Sequence, residues 1–389
     1  MGRPWLFAIP IVLTFSAAPI HRFQERSQVA VRRDVLARII TEYHAQSKFP
    51  GAVIAARFDD GTVTTHAVGL ADRETRRPMP PNARMLAGSV GKTFFAALAV
   101  EYSRAGLLDL DEPVSRYVRG SSWAARIPRT DLVTVRMLLT HTSGYGPICP
   151  AFMRELAQAP LRERSPSEML DCLTSDPPIA APGAAFHYSD LNYILLARIL
   201  ETVSRRRAFD EIDRRFIRPL RLVNTRPALS AAISHLTPGY AGRDNPFGGD
   251  QMLVGNKLRL NPQFEWAGGG FVSAATDLAQ WMAEICSRAV PSTGPWHAMT
   301  QTVDAPTLGT GMRYGLGLVV EDTTAGRSYG HGGFFPGYVS WMRCYPDVGA
   351  SIAVQVNSSD DGSFGGRVSD VLTRAAIALR EGMGTVPQR

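Results

Sequence analysis

The two ends of the chain carry strand-like patterns of polar and apolar residues, whereas the middle carries helical ones. The stretch GAVIAARFDDGTVTTHAVGLAD, residues 51–72, alternates around an Asp-Gly pair, which predicts a two-stranded hairpin. Three more strand-like stretches, YGLGLVVED, GYVSWMRCYPD and ASIAVQVNSS, follow in residues 314–359. An isolated hairpin is marginally stable in water, so strands from both ends are expected to pair in one sheet. The predicted fold class is therefore α/β of the α+β type: an antiparallel sheet built from both chain ends and flanked by helices, with an inserted helical domain.

Helical periodicity lies on both sides of the strand patterns and between them. VRRDVLARIITEYHAQ repeats apolar residues at helical spacing before the hairpin, and DVLTRAAIALREGM does so near the end of the chain. Ser273 is the expected N-cap of a helix in the middle of the chain. Two long polar segments, 143–180 and 222–265, are predicted as loops at the rim of a cleft. The expected divisions are a signal peptide (1–18), a leader (19–29) and one β-sheet-containing domain (30–385), with a sheet part (30–88 and 307–385) and a helical part (89–306).

The N-terminus, MGRPWLFAIPIVLTFSAAPIHR, has the layout of a secretory signal. It has an early positive charge at Arg3, an apolar run through Phe15 and small residues at 16–18. This pattern predicts a secreted or periplasmic protein. The alternative is an uncleaved membrane anchor, which two prolines within the run and its short length disfavour.

Charge places a weak constraint on the partners of this protein. The chain has 42 Lys and Arg residues against 35 Asp and Glu, and only Lys48, Lys92 and Lys257 are lysine. No nucleic-acid motif or interleaved aromatic residue accompanies the arginine runs, so we interpret them as compositional bias and expect no nucleic-acid partner. A mildly basic surface is compatible with association with anionic polymers of the cell envelope.

Four cysteines are present, and their spacing excludes a paired-cysteine zinc site. In an exported protein, Cys149, Cys172, Cys286 and Cys344 permit three disulfide pairings. The pairing of Cys149 with Cys172 is the one we favour. Buried free thiols are the alternative.

The esterase signature Gly-x-Ser-x-Gly occurs at 326–330, but its context is unsuitable for catalysis. The catalytic form needs a buried strand that turns sharply into a helix, followed later by an acid and a histidine. Here polar residues precede the motif, HGGFFPG follows it, and the last histidine of the chain is His331. We therefore interpret Ser328 as part of a turn.

Ser89 and Lys92 form a second candidate pair, in the stretch LAGSVGKTFF. Gly88 precedes the serine and a helical pattern follows it, so Ser89 is expected at a helix N-terminus, where free N–H groups favour negative charge. Residues three apart share a helix face, which brings the amine of Lys92 near the hydroxyl of Ser89. A lysine can stabilise an alkoxide and can lose its proton, whereas an arginine stays protonated. A surface lysine on a helix is the alternative interpretation.

Two later motifs complete an ordered set. FHYSDLNYILLARILE places a tyrosine just before an apolar helix, and YGHGGFFPGY places a histidine in strand-like surroundings. With SVGK (89–92), YSD (188–190) and HGG (331–333) in this order, the sequence resembles the serine β-lactamase-related superfamily, which includes class C β-lactamases, D,D-peptidases and β-lactamase-like carboxylesterases. The stretches LLTHTSGY and AGGGFVSAATDLAQW also resemble sequences of this superfamily. The resemblance covers roughly residues 30–385.

The resemblance implies a role for each motif residue. Ser89 would be the acylated nucleophile and Lys92 its proton partner, while Tyr188 would act as a base or proton relay. His331 would line the strand side of the site and bind or relay protons. The backbone N–H groups of Ser89 and Phe334 would form the oxyanion hole. Hydrolysis would pass through an acyl-enzyme that water resolves, with no metal or other cofactor.

Asp190, Gly332 and Gly333 are expected to bind substrate, the glycines by letting it approach the strand edge. The family usually has Asn at the position of Asp190. An ionised Asp190 only accepts hydrogen bonds, so it could orient Lys92 but could not donate to the side-chain amide carbonyl of a penicillin. His331 replaces a lysine that would bind a substrate carboxylate. Both changes argue against a dedicated β-lactamase.

The sequence thus predicts an exported serine acyl-hydrolase that acts through an acyl-enzyme on amide or ester substrates. The expected partner is a small-molecule or peptide substrate (a D-amino-acid peptide, a β-lactam or an ester), and the expected state is a monomer. A carboxylesterase with little β-lactam turnover is the alternative within this class. A non-hydrolytic envelope protein that binds penicillin or peptidoglycan is the alternative from another class.

Overall fold

The computed structural model describes residues 18–384, which form α-helices and β-strands along the whole range. The helices are α1 (Ala18–Ala45), α2 (Lys92–Arg104), α3 (Ser115–Val118), α4 (Val135–Leu139), α5 (Pro150–Gln158), α6 (Pro166–Leu170), α7 (Cys172–Ser175), α8 (Asp190–Ser204), α9 (Ala208–Ile212), α10 (Ala275–Ala289) and α11 (Val368–Gly384). The strands are β1 (Gly51–Phe58), β2 (Val63–Asp72), β3 (Arg77–Pro78), β4 (Met85–Leu86), β5 (Arg226–Pro227), β6 (Leu253–Val254), β7 (Lys257–Leu258), β8 (Phe271–Ser273), β9 (Val303–Asp304), β10 (Arg313–Tyr314), β11 (Val319–Thr323), β12 (Gly326–Phe335), β13 (Tyr338–Tyr345) and β14 (Ala350–Val356).

The predicted signal peptide, residues 1–18, lies outside the described residues except for Ala18. Helix α1 begins at that residue and runs through the residues predicted as a leader. None of the helices in the described range is both long and apolar enough to cross a membrane.

Nine strands form one antiparallel sheet that contains both ends of the domain. Their order is β3-β2-β1-β14-β13-β12-β11-β10-β9. The predicted hairpin is confirmed as β1 and β2, and the other edge of β1 pairs with β14, with Ala52 opposite Val356 and Phe58 opposite Ala350. The prediction that both chain ends build one antiparallel sheet is therefore confirmed.

The central strands bury both faces of this sheet. On β1, Ala52, Ile54 and Ala56 pack into the core that includes α1 and α11, whereas Val53 and Ala55 pack into the core that includes α10. The helices predicted before the hairpin and at the end of the chain are confirmed as a layer on one face. Helix α10 covers the opposite face.

The inserted part is rich in helices but also contains strands. Strand β8 pairs with β4 and β5 in a small sheet, and β9 joins the edge of the main sheet. The expectation of a loop over 143–180 is wrong in part, because α5, α6 and α7 lie within it. Ser165 and Glu168 start α6 with a capping box, in which each side chain bonds the backbone N–H of the other residue.

Two serines have surroundings that differ from those predicted. Ser328, expected in a turn, is buried in β12, and its hydroxyl donates to the carbonyl of Glu321 on β11. Ser273, expected as a helix N-cap, ends β8, and its hydroxyl bonds that of Thr225. Helix α10 begins at Ala275 without a side-chain cap. In both cases a neighbouring segment provides the hydrogen bond.

All four cysteines are paired. The favoured disulfide, Cys149–Cys172, is confirmed and joins the start of α5 to the start of α7. A second disulfide, Cys286–Cys344, joins α10 to β13 and so ties the inserted part to the main sheet. The alternative of buried free thiols is therefore wrong.

Opening the Cys286–Cys344 disulfide is expected to destabilise the protein, because this bond closes a loop with a sequence separation of 58 between two layers. The Cys286→Ser/Cys344→Ser variant should lose about 2 to 4 kcal/mol of the free energy of unfolding, measured by denaturant titration. Cys149→Ser/Cys172→Ser opens a loop with a separation of only 23 and should lose less. A variant without Cys286 and Cys344 that is as stable as the wild type would contradict this prediction.

Candidate active site

Ser89 lies in a tight turn between a strand and a helix. Residues Gly88–Gly91 form a 3-10 turn between β4 and α2. Gly88 has a φ of 53°, and a Cβ atom there would lie 2.5 Å from the backbone N of Phe334 on β12. Glycine is therefore required for this turn to pack against the strand. Ser89 is partly exposed where the sheet meets the inserted helices.

Lys92 is completely buried and directs its ammonium group at Ser89. Nζ of Lys92 lies 2.9 Å from Oγ of Ser89 and 2.5 Å from Oδ1 of Asp190, and it also contacts the carbonyl oxygen of Gly268. These three acceptors match the three N–H donors of an ammonium group. The predicted approach of the Lys92 amine to the Ser89 hydroxyl is confirmed.

Lys92 is protonated, whereas the sequence pointed to an amine that can lose its proton. Burial alone would lower the pKa of Lys92, but its interactions with Asp190 and Tyr188, foremost the negative charge of Asp190, more than compensate, so its pKa lies above the ordinary value. Lys92 is therefore an ammonium ion that donates to Oγ of Ser89, which leaves the hydroxyl proton free to point elsewhere. The planar guanidinium of an arginine does not match three converging acceptors, which explains lysine at this position.

Tyr188 lies beside this pair as a neutral phenol. Nζ of Lys92 is 5.0 Å from the centroid of its ring, and its hydroxyl is buried without a hydrogen-bond partner. Burial raises the pKa of Tyr188, and the opposing effects of Lys92 and Ser89 are smaller. The ammonium expected beside Tyr188 is present, but it does not produce a phenolate. A buried unpaired hydroxyl is costly, so this one is poised to bond a ligand or the Ser89 hydroxyl.

His141 positions Tyr188. Nδ1 of His141 accepts hydrogen bonds from the backbone N–H of Ser189 and from the side chain of Asn192, and its ring centroid lies 4.2 Å from that of Tyr188. Burial, and then the positive charge of Lys92, lower the pKa of His141 well below its ordinary value. The ring is therefore neutral, and it supports the corner that carries Tyr188 into α8.

Both ring nitrogens of His331 have hydrogen-bond partners within the protein. This residue lies on β12, with Nε2 2.9 Å from the hydroxyl of Tyr314 and Nδ1 2.5 Å from the carbonyl oxygen of Gly332. Burial, with a smaller effect of Lys92, lowers the pKa of His331 to about 3. The neutral ring thus donates from Nδ1 to the carbonyl and accepts at Nε2 from the phenol. This geometry fits a positioning role better than the expected proton relay.

Gly332 and Gly333 lie in close contact with neighbouring protein groups. A Cβ atom at Gly332 would lie 2.5 Å from an indole ring on β13, and one at Gly333 would lie 1.9 Å from the carbonyl oxygen of Ala87. Glycine at both positions therefore allows this close packing, and the role of these glycines in binding substrate stays a prediction. A Cβ at Gly333 would also lie 3.1 Å from the backbone N of Ser89, so the backbones of Ser89 and Phe334 run close together, as the predicted oxyanion hole requires.

Asp190 faces both Lys92 and the surface. Lys92 bonds Oδ1 of Asp190, while the Asp190 side chain stays 38 % exposed. Asp190 is the first residue of α8, where the helix dipole favours a carboxylate. The geometry agrees with the prediction that Asp190 orients Lys92. Among residues 18–384, no donor bonds the second oxygen, Oδ2.

Sequence reasoning missed three residues of this site: Gly268, Tyr314 and Glu265. Glu265 lies in the 3-10 segment Pro262–Gly268, and its Oε2 is buried without a donor. Burial raises the pKa of Glu265 to about 8, and the negative charge of Asp190 adds to this effect. The AGGG stretch was a signal for Gly268, but no sequence pattern marks the other two.

Cavity volume does not identify this site. A surface cavity of about 680 Å³ is lined by residues that include Arg77, Arg84 and His235, and none of the residues around Ser89 lines it. Across the part of the chain that the structure describes, no group of three or more side chains is placed to ligate a metal ion. The Ser89 cluster is therefore identified by its chemistry: a partly exposed hydroxyl, a buried ammonium and an unpaired phenol.

A sheet built from both chain ends, with Ser89, Lys92 and Tyr188 where it meets the inserted helices, defines the β-lactamase/transpeptidase-like class of proteins. Residues 36–375 match the family model described as Beta-lactamase. The chain therefore belongs to the β-lactamase family, which confirms the resemblance drawn from its motifs.

The similarity of the chain to individual proteins supports this family assignment. The chain is 26 % identical over 319 residues to a D-aminopeptidase of Brucella anthropi, covering 78 % of this chain and 55 % of that protein, so it spans about half the length of this relative. It is 27 % identical over 350 residues to penicillin-binding protein 4 of Amycolatopsis lactamdurans, covering 83 % and 84 % of the two chains. A solved D-stereospecific amidohydrolase from Streptomyces sp. aligns with a TM-score of 0.74 and 26 % identity, covering 87 % of this chain and 97 % of that one.

Lys92→Arg is expected to slow the reaction of Ser89 with a fluorophosphonate by roughly 100-fold, because the guanidinium cannot bond all three acceptors and support charge on Oγ. The measurement is the rate constant of covalent labelling. Lys257→Arg, at an exposed position, is the matched control and should react at the wild-type rate. Wild-type labelling of the Lys92→Arg variant would show that the three-acceptor match is irrelevant.

Glu265→Gln is expected to stabilise the protein more at high pH than at low pH. The pKa of Glu265 rises from 4.5 to about 8 on folding, so between these values the unfolded chain has released a proton that the folded protein keeps. Raising the pH through this window therefore destabilises the folded wild type. Glutamine does not titrate, so the variant lacks this contribution to the pH dependence of its stability. Denaturant titrations of both proteins at pH 5.5 and 9 measure the difference. An equal difference at both pH values would refute the raised pKa.

Proposed function

We propose that this protein is a serine acyl-hydrolase that cleaves amide or ester substrates through an acyl-enzyme at Ser89. The observation that carries the proposal is the hydrogen bond from the buried Lys92 ammonium to the Ser89 hydroxyl. Family membership supports it, as do the names of two relatives, a D-aminopeptidase and a D-stereospecific amidohydrolase.

Acylation begins when Oγ of Ser89 attacks the scissile carbonyl carbon. The hydroxyl proton passes to the oxygen of Tyr188 while the phenol gives its own proton to the leaving amine or alcohol, so Tyr188 is a relay that stays neutral. Lys92 stabilises the negative charge that develops on Oγ. The backbone N–H groups of Ser89 and Phe334 bind the carbonyl oxygen as it becomes negative, and one such donor is worth about 3 kcal/mol.

Deacylation uses the same groups in reverse. Water attacks the acyl carbon and passes a proton through Tyr188 to Oγ of Ser89 as the ester bond breaks, which releases the acid. His141 and His331 exchange no protons in this scheme, because both are neutral; His141 is bonded through Nδ1 and His331 through both ring nitrogens. They hold Tyr188 and strand β12 in place instead.

Export is part of the proposal. The N-terminal residues 1–18 have the pattern of a secretory signal. The disulfides Cys149–Cys172 and Cys286–Cys344 support a secreted or periplasmic location, because such bonds persist in oxidising compartments. The substrate is then a small molecule or peptide outside the cytoplasm.

Intact-protein mass spectrometry after incubation with a fluorophosphonate tests the nucleophile. The wild type should gain one adduct and Ser89→Ala none, because only this hydroxyl is bonded by Lys92. Ser328→Ala is the matched control and should keep the adduct, since Ser328 is buried and its hydroxyl donates to a backbone carbonyl.

A wild type that gains no adduct, or an adduct that persists in Ser89→Ala, would overturn the proposal. Thermal unfolding of each variant checks that its fold is retained. A penicillin adduct that forms and is never released, with no ester or amide cleaved, would favour the binding-protein alternative.

A further inference from the structure

The surface cavity lined by Arg77, Arg84 and His235 is separate from the active site. Its volume of about 680 Å³ falls within the range of small-molecule pockets, about 300–1,000 Å³. Most of its wall belongs to residues 224–256, in a segment that the sequence predicted at the rim of a cleft, and the rest to residues 77–84. Arg84 precedes β4 and Ser89 follows it, so the cavity and the active site lie at opposite ends of one strand.

Basic side chains line this cavity, and no acidic side chain among residues 18–384 does. Arg226 adjoins it: burial and then the positive charge of Arg84 lower the pKa of Arg226. In the described part of the chain, Arg77, Arg84 and Arg226 form no ion pair, whereas Arg73 pairs with Asp250. Several positive charges around one cavity therefore lack a counter-charge from the protein, which favours an anionic ligand.

Two carboxylates adjoin this cavity, and each accepts hydrogen bonds from other groups. Asp277 accepts from the backbone N–H and the side chain of Asn224 and from a threonine hydroxyl. Asp72 lies opposite Arg77 in the pairing of β2 with β3, but its carboxylate accepts from backbone N–H groups of the turn that follows β2. Neither carboxylate forms an ion pair with an arginine within residues 18–384, so the arginines remain available to a ligand.

Hydrogen bonds fix the wall of the cavity around Arg84. Nε of Arg84 donates to Oδ1 of Asn224 at 3.1 Å, and neither Nη atom has an acceptor among the described residues. The backbone N–H of Thr237 donates to the carbonyl of Arg84, and the guanidinium of Arg226 donates to the carbonyl of Ser234. The guanidinium of Arg84 is therefore oriented before a ligand arrives, which reduces the entropy that binding costs.

We propose that this cavity binds a small molecule that carries a phosphate monoester. Such a group carries a charge of about −1.5 to −2 at pH 7 and three strong acceptor oxygens, which matches the two arginines of the wall, whereas a carboxylate balances only one. Guanidinium groups bind phosphate through two parallel hydrogen bonds. Asn82, Asn256 and His235 line the same cavity with side chains that have no hydrogen-bond partner among residues 18–384, and they can bond the rest of the molecule.

This inference goes beyond the proposed function, because it assigns a second binding site and no reaction. Neither Ser89 nor Lys92 lines the cavity. Binding of the phosphate and acylation of Ser89 can therefore be measured separately, and the failure of one proposal leaves the other standing.

Isothermal titration calorimetry on the full chain tests the inference with ribose 5-phosphate as the probe, at constant ionic strength. The matched comparators are ribose, which lacks the phosphate, and gluconate, which carries a carboxylate on a molecule of similar size. Ribose 5-phosphate should bind at one site per chain, roughly tenfold or more tightly than gluconate, because it forms more charge-assisted hydrogen bonds. Ribose should not bind, and inorganic phosphate should bind more weakly than ribose 5-phosphate.

Variants of the wall place the bound phosphate. Arg77→Ala and Arg84→Ala should each weaken binding of ribose 5-phosphate roughly tenfold or more, as loss of a charge-assisted hydrogen bond predicts. Asn82→Asp adds a carboxylate to the wall without changing its shape and should weaken binding as well. Arg154→Ala, which removes an exposed arginine from α5, is the matched control and should keep the wild-type affinity. Thermal unfolding checks each fold, and if Arg84→Ala does not fold, Arg77→Ala and Asn82→Asp, both at exposed positions, still test the site.

Three results would overturn the inference. The first is a wild type that binds neither ribose 5-phosphate nor inorganic phosphate, or that binds gluconate as tightly. The second is unchanged affinity in Arg77→Ala and Asn82→Asp, which would place the phosphate elsewhere on the protein. The third is loss of binding in Ser89→Ala, which would place it in the active site.

Discussion

The ammonium group of Lys92 is buried where three segments of the chain meet. Its three hydrogen bonds reach the 3-10 turn of Ser89, the first residue of α8 at Asp190 and the carbonyl of Gly268. An unpaired charge in a protein interior costs several kcal/mol, so these three segments have to converge for the fold to tolerate this side chain. The same convergence orients the Ser89 hydroxyl. The interaction that makes the buried lysine tolerable is thus also the one that prepares the nucleophile.

Around this ammonium, burial keeps the other titratable rings neutral. His141, His331, Tyr188 and Tyr314 pack against one another, and each has a pKa shifted towards its uncharged form. Because the pKa of Glu265 is also raised, to about 8, charge in the site near neutral pH is confined to Lys92 and Asp190. In such an environment the electrostatic effect of each remaining charge is strong, because little solvent screens it. This explains how a single cation can support the nucleophile.

Much of the fold followed from local patterns. Alternation and helical spacing can be recognised within a single continuous segment of sequence. This made it possible to predict the hairpin of β1 and β2, the strands near the C-terminus and the helices α1 and α11. Predictions failed where a distant segment decides the outcome. Ser328 lies in a strand rather than a turn because β11 pairs with it, and Ser273 bonds Thr225 instead of capping a helix. The short helices in 143–180 were missed because helices of four to nine residues carry few periodic positions.

For the site, the sequence by itself determined the order and chemical types of Ser89, Lys92 and Tyr188, and the proximity of the first two, because a spacing of three residues at a helix start places both on one face. Only the tertiary structure decided which groups are charged. The pKa of Lys92 depends on Asp190, and that of Glu265 on burial beside Asp190, and these residues lie 98 and 75 positions from Asp190 in the chain. The tertiary structure likewise determines the hydrogen-bond partners of His331 and the protein groups that pack against Gly332 and Gly333. Desolvation and Coulomb interactions depend on distances in space, and a single sequence specifies those only after it has folded.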